Sequence, residues 1–133
     1  MKSVTIKWVK ELQFELEEGS ADTLDPKSLL LLSFAKCAGM TAAGLFQKSK
    51  IELLGFEITC SGQMSTPTLQ AETVFTRLSI VYNVECARIE EQSRVSRAIA
   101  LTNDRYCGVG QMLSRVAPVS HEIYIHSSET ELV

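Results

Sequence analysis

Two of the four cysteines occupy positions that suit thiol chemistry. Cys37 lies in the middle of the longest apolar stretch, and Cys107 closely follows the polar pair Asn103-Asp104. If Asp104 caps a short helix there, Cys107 falls in its first turn. In that turn, free backbone N–H groups and the positive end of the helix dipole favour a thiolate. Because the thiolate is the nucleophilic form of cysteine, both residues are candidates for redox chemistry.

All four cysteines also have a packing interpretation. A buried cysteine on an apolar helix behaves as a small hydrophobe more often than as a nucleophile, so packing remains an alternative for Cys37. Position alone does not separate the two roles for Cys107. Cys60 and Cys86 end runs of apolar strand residues, and we interpret both as core residues.

No cofactor or metal motif accompanies the cysteines. His121 and His126 are five residues apart on a predicted strand and therefore face opposite sides. Neither has a cysteine or carboxylate at a metal-ligand spacing, and there is no glycine-rich phosphate or dinucleotide loop. We therefore expect neither metal nor cofactor. Glu90 and Glu91 precede two arginines at helical spacing and are expected on a solvated face.

Length and composition indicate one folded domain spanning residues 1–133. The chain is 45% hydrophobic and 22% charged, with a net charge of −3. Because there is no basic excess to neutralise phosphates, we expect no nucleic-acid partner. Four cysteines are too few for a disulfide framework in a chain of this length, and the N-terminal residues lack the apolar region of a secretory signal. Both features favour a cytoplasmic protein with reduced thiols.

The hydrophobic pattern predicts the order β-β-α-β-β-α-α-β, an α+β fold with a mostly antiparallel sheet. On the fourth strand, Val74 is expected on the core face with Leu78, Ile80 and the alternate residues up to Cys86. We expect Asn103-Asp104 to end the second helix. Strands are predicted at 4–9, 12–16, 55–64, 74–86 and 119–125, and helices at 26–48, 88–102 and 105–116.

The long first helix is apolar around most of its circumference. Asp25 suits its N-cap and Pro26 its first position. Residues 29–46 approach the length of a membrane span, but Lys36 near their centre favours a buried core helix, and we expect no membrane partner. A helix that is apolar all round must be covered on several sides. Since a chain this short has little else to cover it, we expect a second subunit.

The segments around Cys37 and Cys107 share their patterns with a known family. Residues 25–41, DPKSLLLLSFAKCAGMT, are similar to a family helix of the form P-x-E-L-L…A…C…M. Tyr106-Cys107-Gly108-Val109, followed by Leu113 and Ala117-Pro118-Val119, is similar to the family segment YCPV…L…PV. Over roughly residues 25 to 126, the chain thus resembles a divergent member of the OsmC/Ohr (osmotically inducible and organic hydroperoxide resistance) family.

This resemblance implies a specific activity. Family members are intertwined homodimers of α+β subunits built around a long central helix, and many reduce organic hydroperoxides without a cofactor. Carried over, Cys37 would attack the peroxide as a thiolate and become a sulfenic acid. Cys107 would condense with it to a disulfide, which a dithiol reductant then opens.

The chain also departs from the family pattern near the thiols. Lys27 and Ser28 stand where the family has a glutamate, and Gly108 replaces the usual proline. Active members hold the thiolate with an arginine from the N-terminal region, whereas the first arginine here is Arg77. An alternative is therefore an OsmC-like dimer that has lost catalysis and binds a small apolar ligand or has another stress-related role. Candidate replacements for the missing cation are Lys27, Lys36 and Arg105.

Overall fold

The computed structural model describes residues 1–68, 70 and 72–129. Across these residues the chain forms five strands, three α-helices and one π-helical turn. The strands are β1 (Lys2–Lys10), β2 (Gln13–Leu16), β3 (Leu53–Met64), β4 (Phe75–Cys86) and β5 (Val119–Ser127). The helices are α1 (Pro26–Lys48), α2 (Gln92–Leu101) and α3 (Gly108–Leu113), and the π-helical turn Thr102–Tyr106 joins α2 to α3. Short 3-10 turns lie at Ala21–Thr23 and Ile89–Glu91.

The strands form one sheet in the order β2-β1-β3-β4-β5. Every neighbouring pair is antiparallel except β4 and β5, which run parallel. A parallel pair needs a crossover connection, and the segment containing α2 and α3 supplies it. The predicted element order and the mostly antiparallel α+β fold are therefore confirmed.

The helix α1 begins and ends where the sequence predicts. The Asp25 carboxylate accepts a hydrogen bond from the Ser28 N–H at 2.9 Å, and Pro26 occupies the first position. The Lys2 ammonium also donates to Asp25, and together these contacts lower the pKa of that carboxyl from 3.8 to about 2. After Lys48 the chain turns away through Lys50, whose φ of 55° ends the helix.

The core lies between α1 and one face of the sheet. Nine residues of α1 are buried, and Phe46 on this helix meets Phe56 of β3 with ring centroids 5.4 Å apart. Phe56 also contacts Phe14 of β2 and Tyr82 of β4. Although α1 is long and apolar enough to cross a membrane by composition alone, it packs here as a core helix.

One core-facing residue on β4 was wrongly predicted. Val74 lies before the strand with 56% of its surface exposed, and Phe75 is buried instead. The register of β3 against β4 shifts between Gln63 and Met64, which breaks the simple alternation. The Phe75 ring fills the space above Gly62, where a Cβ would come within 2.3 Å of it.

The predicted break at Asn103-Asp104 is also wrong. The chain continues through this pair as the π-helical turn, closed by a hydrogen bond from the Cys107 N–H to the Thr102 carbonyl at 3.0 Å. Asp104 therefore lies inside the turn and caps nothing. The last helix begins at Gly108 rather than at Arg105 and ends at Leu113.

Glu91 is buried rather than solvated. Its carboxylate accepts hydrogen bonds from the Glu52 N–H at 2.7 Å and the Arg88 N–H at 2.9 Å. Burial disfavours the charged form, but these donors outweigh it and lower the pKa of Glu91. Arg94 donates to the Ser49 carbonyl at the end of α1. Glu91 and Arg94 thus connect the α2 region to the start of β3 and to the end of α1, respectively.

A candidate two-thiol site between the first and third helices

The packing of α3 against α1 brings Cys37 and Cys107 together. Gly110 of α3 lies so close to Phe34 of α1 that an added Cβ would be 2.9 Å from the ring and 3.3 Å from the Cys107 Sγ. Cys37 follows Phe34 by three residues and therefore lies on the same side of α1. Besides burial, the neighbouring Cys37 raises the pKa of the Cys107 thiol, which indicates that the two sulfurs lie near each other. The structure thus unites residues that are 70 positions apart in the chain.

The two thiols differ in their access to solvent. Cys37 is half-buried, whereas Cys107 has only 2% of its surface exposed. A molecule arriving from solution therefore meets Cys37 first.

Cys107 is the N-cap residue of α3, which begins at Gly108. The sequence pattern predicts Cys107 within the first turn of this helix. Its Sγ accepts a hydrogen bond from the Gly110 N–H at 3.4 Å. Burial raises the pKa of this thiol, the Gly110 N–H lowers it, and the neighbouring Cys37 raises it again, so that the result is a pKa of about 12. The Gly110 N–H at the helix start favours the Cys107 thiolate, as expected, but burial raises the pKa by more than this donor lowers it.

Cys60 and Cys86 are fully buried in the sheet, as expected for core residues. Cys60 on β3 pairs with Val4 and Ile80 on the neighbouring strands, and burial raises its pKa strongly. The Cys86 Sγ lies 3.5 Å and 3.6 Å from two backbone carbonyl oxygens to which it donates. Burial likewise raises the pKa of Cys86.

Among the described residues, none of the three candidate replacements for the missing cation donates a hydrogen bond to Cys37 or Cys107. The Arg105 guanidinium stacks over the Tyr106 ring, 5.7 Å from its centroid. Lys36 is exposed, and Lys27 is half-buried at the start of α1. Within residues 1–68, 70 and 72–129, neither thiol accepts a hydrogen bond from an arginine or lysine, and no cluster of three His, Cys, Asp or Glu side chains could hold a metal ion.

An apolar stripe surrounds the accessible thiol. On α1, Leu30 and Met40 lie seven residues before and three after Cys37, at helical spacing, and are 46% and 44% exposed. Met112 of the neighbouring α3 is also exposed. We call Leu30, Cys37 and Met40 the α1 stripe.

The architecture and the two thiols define a class of α+β proteins. In this class, a long core helix carries one thiol, and a second thiol lies nearby at the start of a shorter helix. The family model described as OsmC-like protein matches residues 19–122. The chain therefore belongs to the OsmC-like family.

Individual relatives are distant. The chain is 22% identical over 127 residues to Protein YhfA of Escherichia coli (strain K12), covering 87% of this chain and 92% of that protein. Its fold is similar to that of a hypothetical protein from Aquifex aeolicus VF5, with a TM-score of 0.69, 20% identity and coverage of 95% and 96%. It is also similar to the organic hydroperoxide resistance protein OhrB of Bacillus subtilis, with a TM-score of 0.57, 12% identity and coverage of 93% and 98%. These two structures support the fold alone.

Proposed function

We propose that this protein reduces organic hydroperoxides through Cys37 and Cys107. The observation that carries the proposal is the adjacency of a half-buried thiol and a buried thiol where α3 packs on α1. Membership of the OsmC-like family, with relatives of similar fold named hydroperoxide resistance proteins, supports the same activity. The apolar α1 stripe around Cys37 suits an organic rather than an inorganic peroxide.

The proposed cycle has three steps that balance. The Cys37 thiolate attacks one oxygen of the O–O bond, giving Cys37–SOH and an alkoxide that takes up a proton to leave as the alcohol. The Cys107 sulfur then displaces hydroxide from Cys37–SOH, and its proton completes a water molecule as the disulfide forms. A dithiol reductant restores both thiols and leaves as its own disulfide.

The electrostatics of Cys107 favour this order of events. A charge on Cys37 raises the pKa of Cys107, so the two thiolates oppose each other. Once Cys37 is a neutral sulfenic acid, that repulsion is gone and Cys107 ionises more readily. Burial, the larger cause of the raised pKa, persists after this step, so loss of the Cys37 charge lowers the pKa of Cys107 only in part.

A peroxidase assay tests the proposal. With cumene hydroperoxide as substrate and dithiothreitol as reductant, we expect catalytic consumption by the unmodified protein and its loss in Cys37→Ser. Cys107→Ser should form a sulfenic acid at Cys37, trapped by dimedone, without forming the intramolecular disulfide. Cys86→Ser is the matched control because Cys86 is buried away from the pair, and it should retain activity. Equal consumption by Cys37→Ser and the unmodified protein would contradict the proposal.

The second candidate, a binder of small apolar ligands without catalysis, has its own supporting observation. Among the described residues no arginine or lysine donates to either thiol, while apolar side chains lie exposed beside Cys37. If Cys37 survives stoichiometric cumene hydroperoxide unoxidised, this candidate replaces the first.

We further propose that the protein works as a cytoplasmic homodimer in which the exposed side chains of Leu30 and Met40 lie against a second copy. Exposed apolar side chains at helical spacing are a surface that a partner would cover. Met40→Glu should then shift the mass measured by sedimentation from dimer towards monomer. Val74→Glu places the same charge on an exposed apolar residue outside the stripe and should leave the mass unchanged. A monomeric unmodified protein would contradict the dimer.

A further inference from the structure

Tyr82 is a buried polar residue that the proposed cycle does not use. It lies on β4 with no exposed surface, and its hydroxyl donates to the Asn103 Oδ1 at 2.6 Å. Burial raises the pKa of this hydroxyl, and three neighbouring thiols raise it further: Cys107, Cys60 and Cys37. The hydroxyl therefore stays protonated and donates to Asn103 in the neighbourhood of Cys107 and Cys37.

Asn103 belongs to the π-helical turn that leads directly to Cys107. While its side chain is held by Tyr82 from the sheet, its carbonyl accepts a hydrogen bond from the Gln111 Nε2 of α3 at 2.8 Å. The Cys107 N–H closes the same turn onto Thr102. Asn103 is thus fixed on one side to β4 and on the other to the helix that Cys107 caps.

We propose that Tyr82, acting through Asn103, positions Cys107 against Cys37. The π-helical turn is a rare element that is found frequently at functional sites. The Tyr82 hydrogen bond supplies this turn with a contact from the centre of the sheet. The Tyr82 hydroxyl donates to Asn103 and not to a thiol, so Tyr82 is a positioning residue, and its relevance to peroxide reduction rests on the proposed function.

The proposal separates the hydroxyl from the ring. The Tyr82 ring stacks on Phe56, with centroids 6.4 Å apart, and a phenylalanine would keep that packing. Tyr82→Phe therefore removes the hydrogen bond alone. Tyr124→Phe is the matched control, because the Tyr124 hydroxyl donates to Glu122 on the exposed outer strand at 2.8 Å.

The first measurement is the equilibrium between the thiol pair and a glutathione redox buffer, which needs no peroxide. The fraction of protein with the Cys37–Cys107 disulfide at a known ratio of reduced to oxidised glutathione gives the effective concentration of Cys107 relative to Cys37. We expect Tyr82→Phe to lower it about tenfold, since small displacements of paired reacting groups have large effects. Tyr124→Phe should match the unmodified protein. An unchanged effective concentration in Tyr82→Phe, or no intramolecular disulfide in the unmodified protein, would overturn the inference.

A second variant keeps the test decisive if Tyr82→Phe folds poorly. Asn103→Ala removes the other partner and should lower the effective concentration by a similar factor. The double variant should then be no worse than either single one, because both delete the same link. Additive losses would show that Tyr82 acts by another route and would overturn the inference.

The second measurement separates this inference from the proposed function. With cumene hydroperoxide, Tyr82→Phe should form the Cys37 sulfenic acid at an unchanged rate and the disulfide about tenfold more slowly. If Cys37 does not react with the peroxide while the glutathione equilibrium still shifts, the peroxidase function fails and the positioning role stands. If peroxide oxidises Cys37 and both rates are unchanged, the positioning role fails and the peroxidase function stands.

Discussion

The two pairs of cysteines show how differently one fold uses the same side chain. Cys107 and Cys60 are almost equally buried, and burial raises the pKa of both. Cys60 lies mid-strand between apolar neighbours. Cys107 instead caps a helix, accepts from the Gly110 N–H and has the half-buried Cys37 beside it.

This contrast teaches that burial alone does not separate a structural cysteine from a candidate redox cysteine. What separates them is the neighbourhood of the sulfur. Burial and the nearby Glu91 charge raise the pKa of Cys86, backbone hydrogen bonds lower it in part, and its Sγ donates to two carbonyl oxygens. The Cys107 Sγ accepts from an N–H, which partly offsets burial, and it has a second thiol within reach.

The largest expected effect concerns the alkylation of Cys107. Burial raises the pKa of Cys107 from 9.0 to about 12, so a much smaller fraction of it is thiolate near neutral pH than of an ordinary cysteine. Because the raised pKa keeps the proton on, the rate of modification by iodoacetamide should rise about tenfold per pH unit and continue rising above pH 9. Mass spectrometry of each cysteine peptide measures this. If the modification rate of Cys107 in the folded protein levelled off near pH 9, its pKa would be that of an ordinary cysteine, and the prediction would be wrong.

Serine substitutions should separate the two buried cysteines by stability. Cys60→Ser places a hydroxyl among apolar strand neighbours and should lower the free energy of unfolding by about 2 kcal/mol. Cys107→Ser places a favoured N-cap residue at the start of α3 and should change it by less than about 0.5 kcal/mol. Urea unfolding of both variants measures the two effects. Equal losses would mean that Cys107 is as much a packing residue as Cys60.

Two glycines beside Cys107 sharpen the comparison further. Gly110→Ala forces a Cβ against Phe34 and the Cys107 Sγ and should lower the free energy of unfolding by about 1 kcal/mol, while also weakening disulfide formation. Gly108→Ala has open space and should be neutral or slightly stabilising. Thermal unfolding and the glutathione equilibrium measure both. An unaffected Gly110→Ala would show that α3 need not lie tightly on α1.

The elements that local chemistry determines were predictable from the sequence. Asp25 and Pro26 specify the start of α1 through an N-cap and a favoured first position, and the structure confirms both. Cys60 and Cys86, interpreted as core residues at the ends of apolar strand runs, are likewise buried on β3 and β4. The two candidate thiols were identified by their positions on helices, and the structure brings them together.

The errors fall where distant contacts override local preference. Asn103-Asp104 is a typical helix break, yet the chain continues because Tyr82 binds the Asn103 side chain from the sheet. The spacing of Glu91 from the arginines that follow it predicts a solvated face. Its carboxylate is buried instead, where it accepts a hydrogen bond from the Glu52 N–H just before β3. Such partners lie too far away in the chain for a local pattern to indicate them.

The most direct test of the account is disulfide mapping after peroxide treatment. Reduced protein is mixed with one equivalent of cumene hydroperoxide, the remaining thiols are alkylated in denaturant, and peptides are identified by mass spectrometry. The account predicts a Cys37–Cys107 disulfide, with Cys60 and Cys86 recovered as alkylated thiols. Four intact thiols, or a disulfide that includes Cys60 or Cys86, would contradict it.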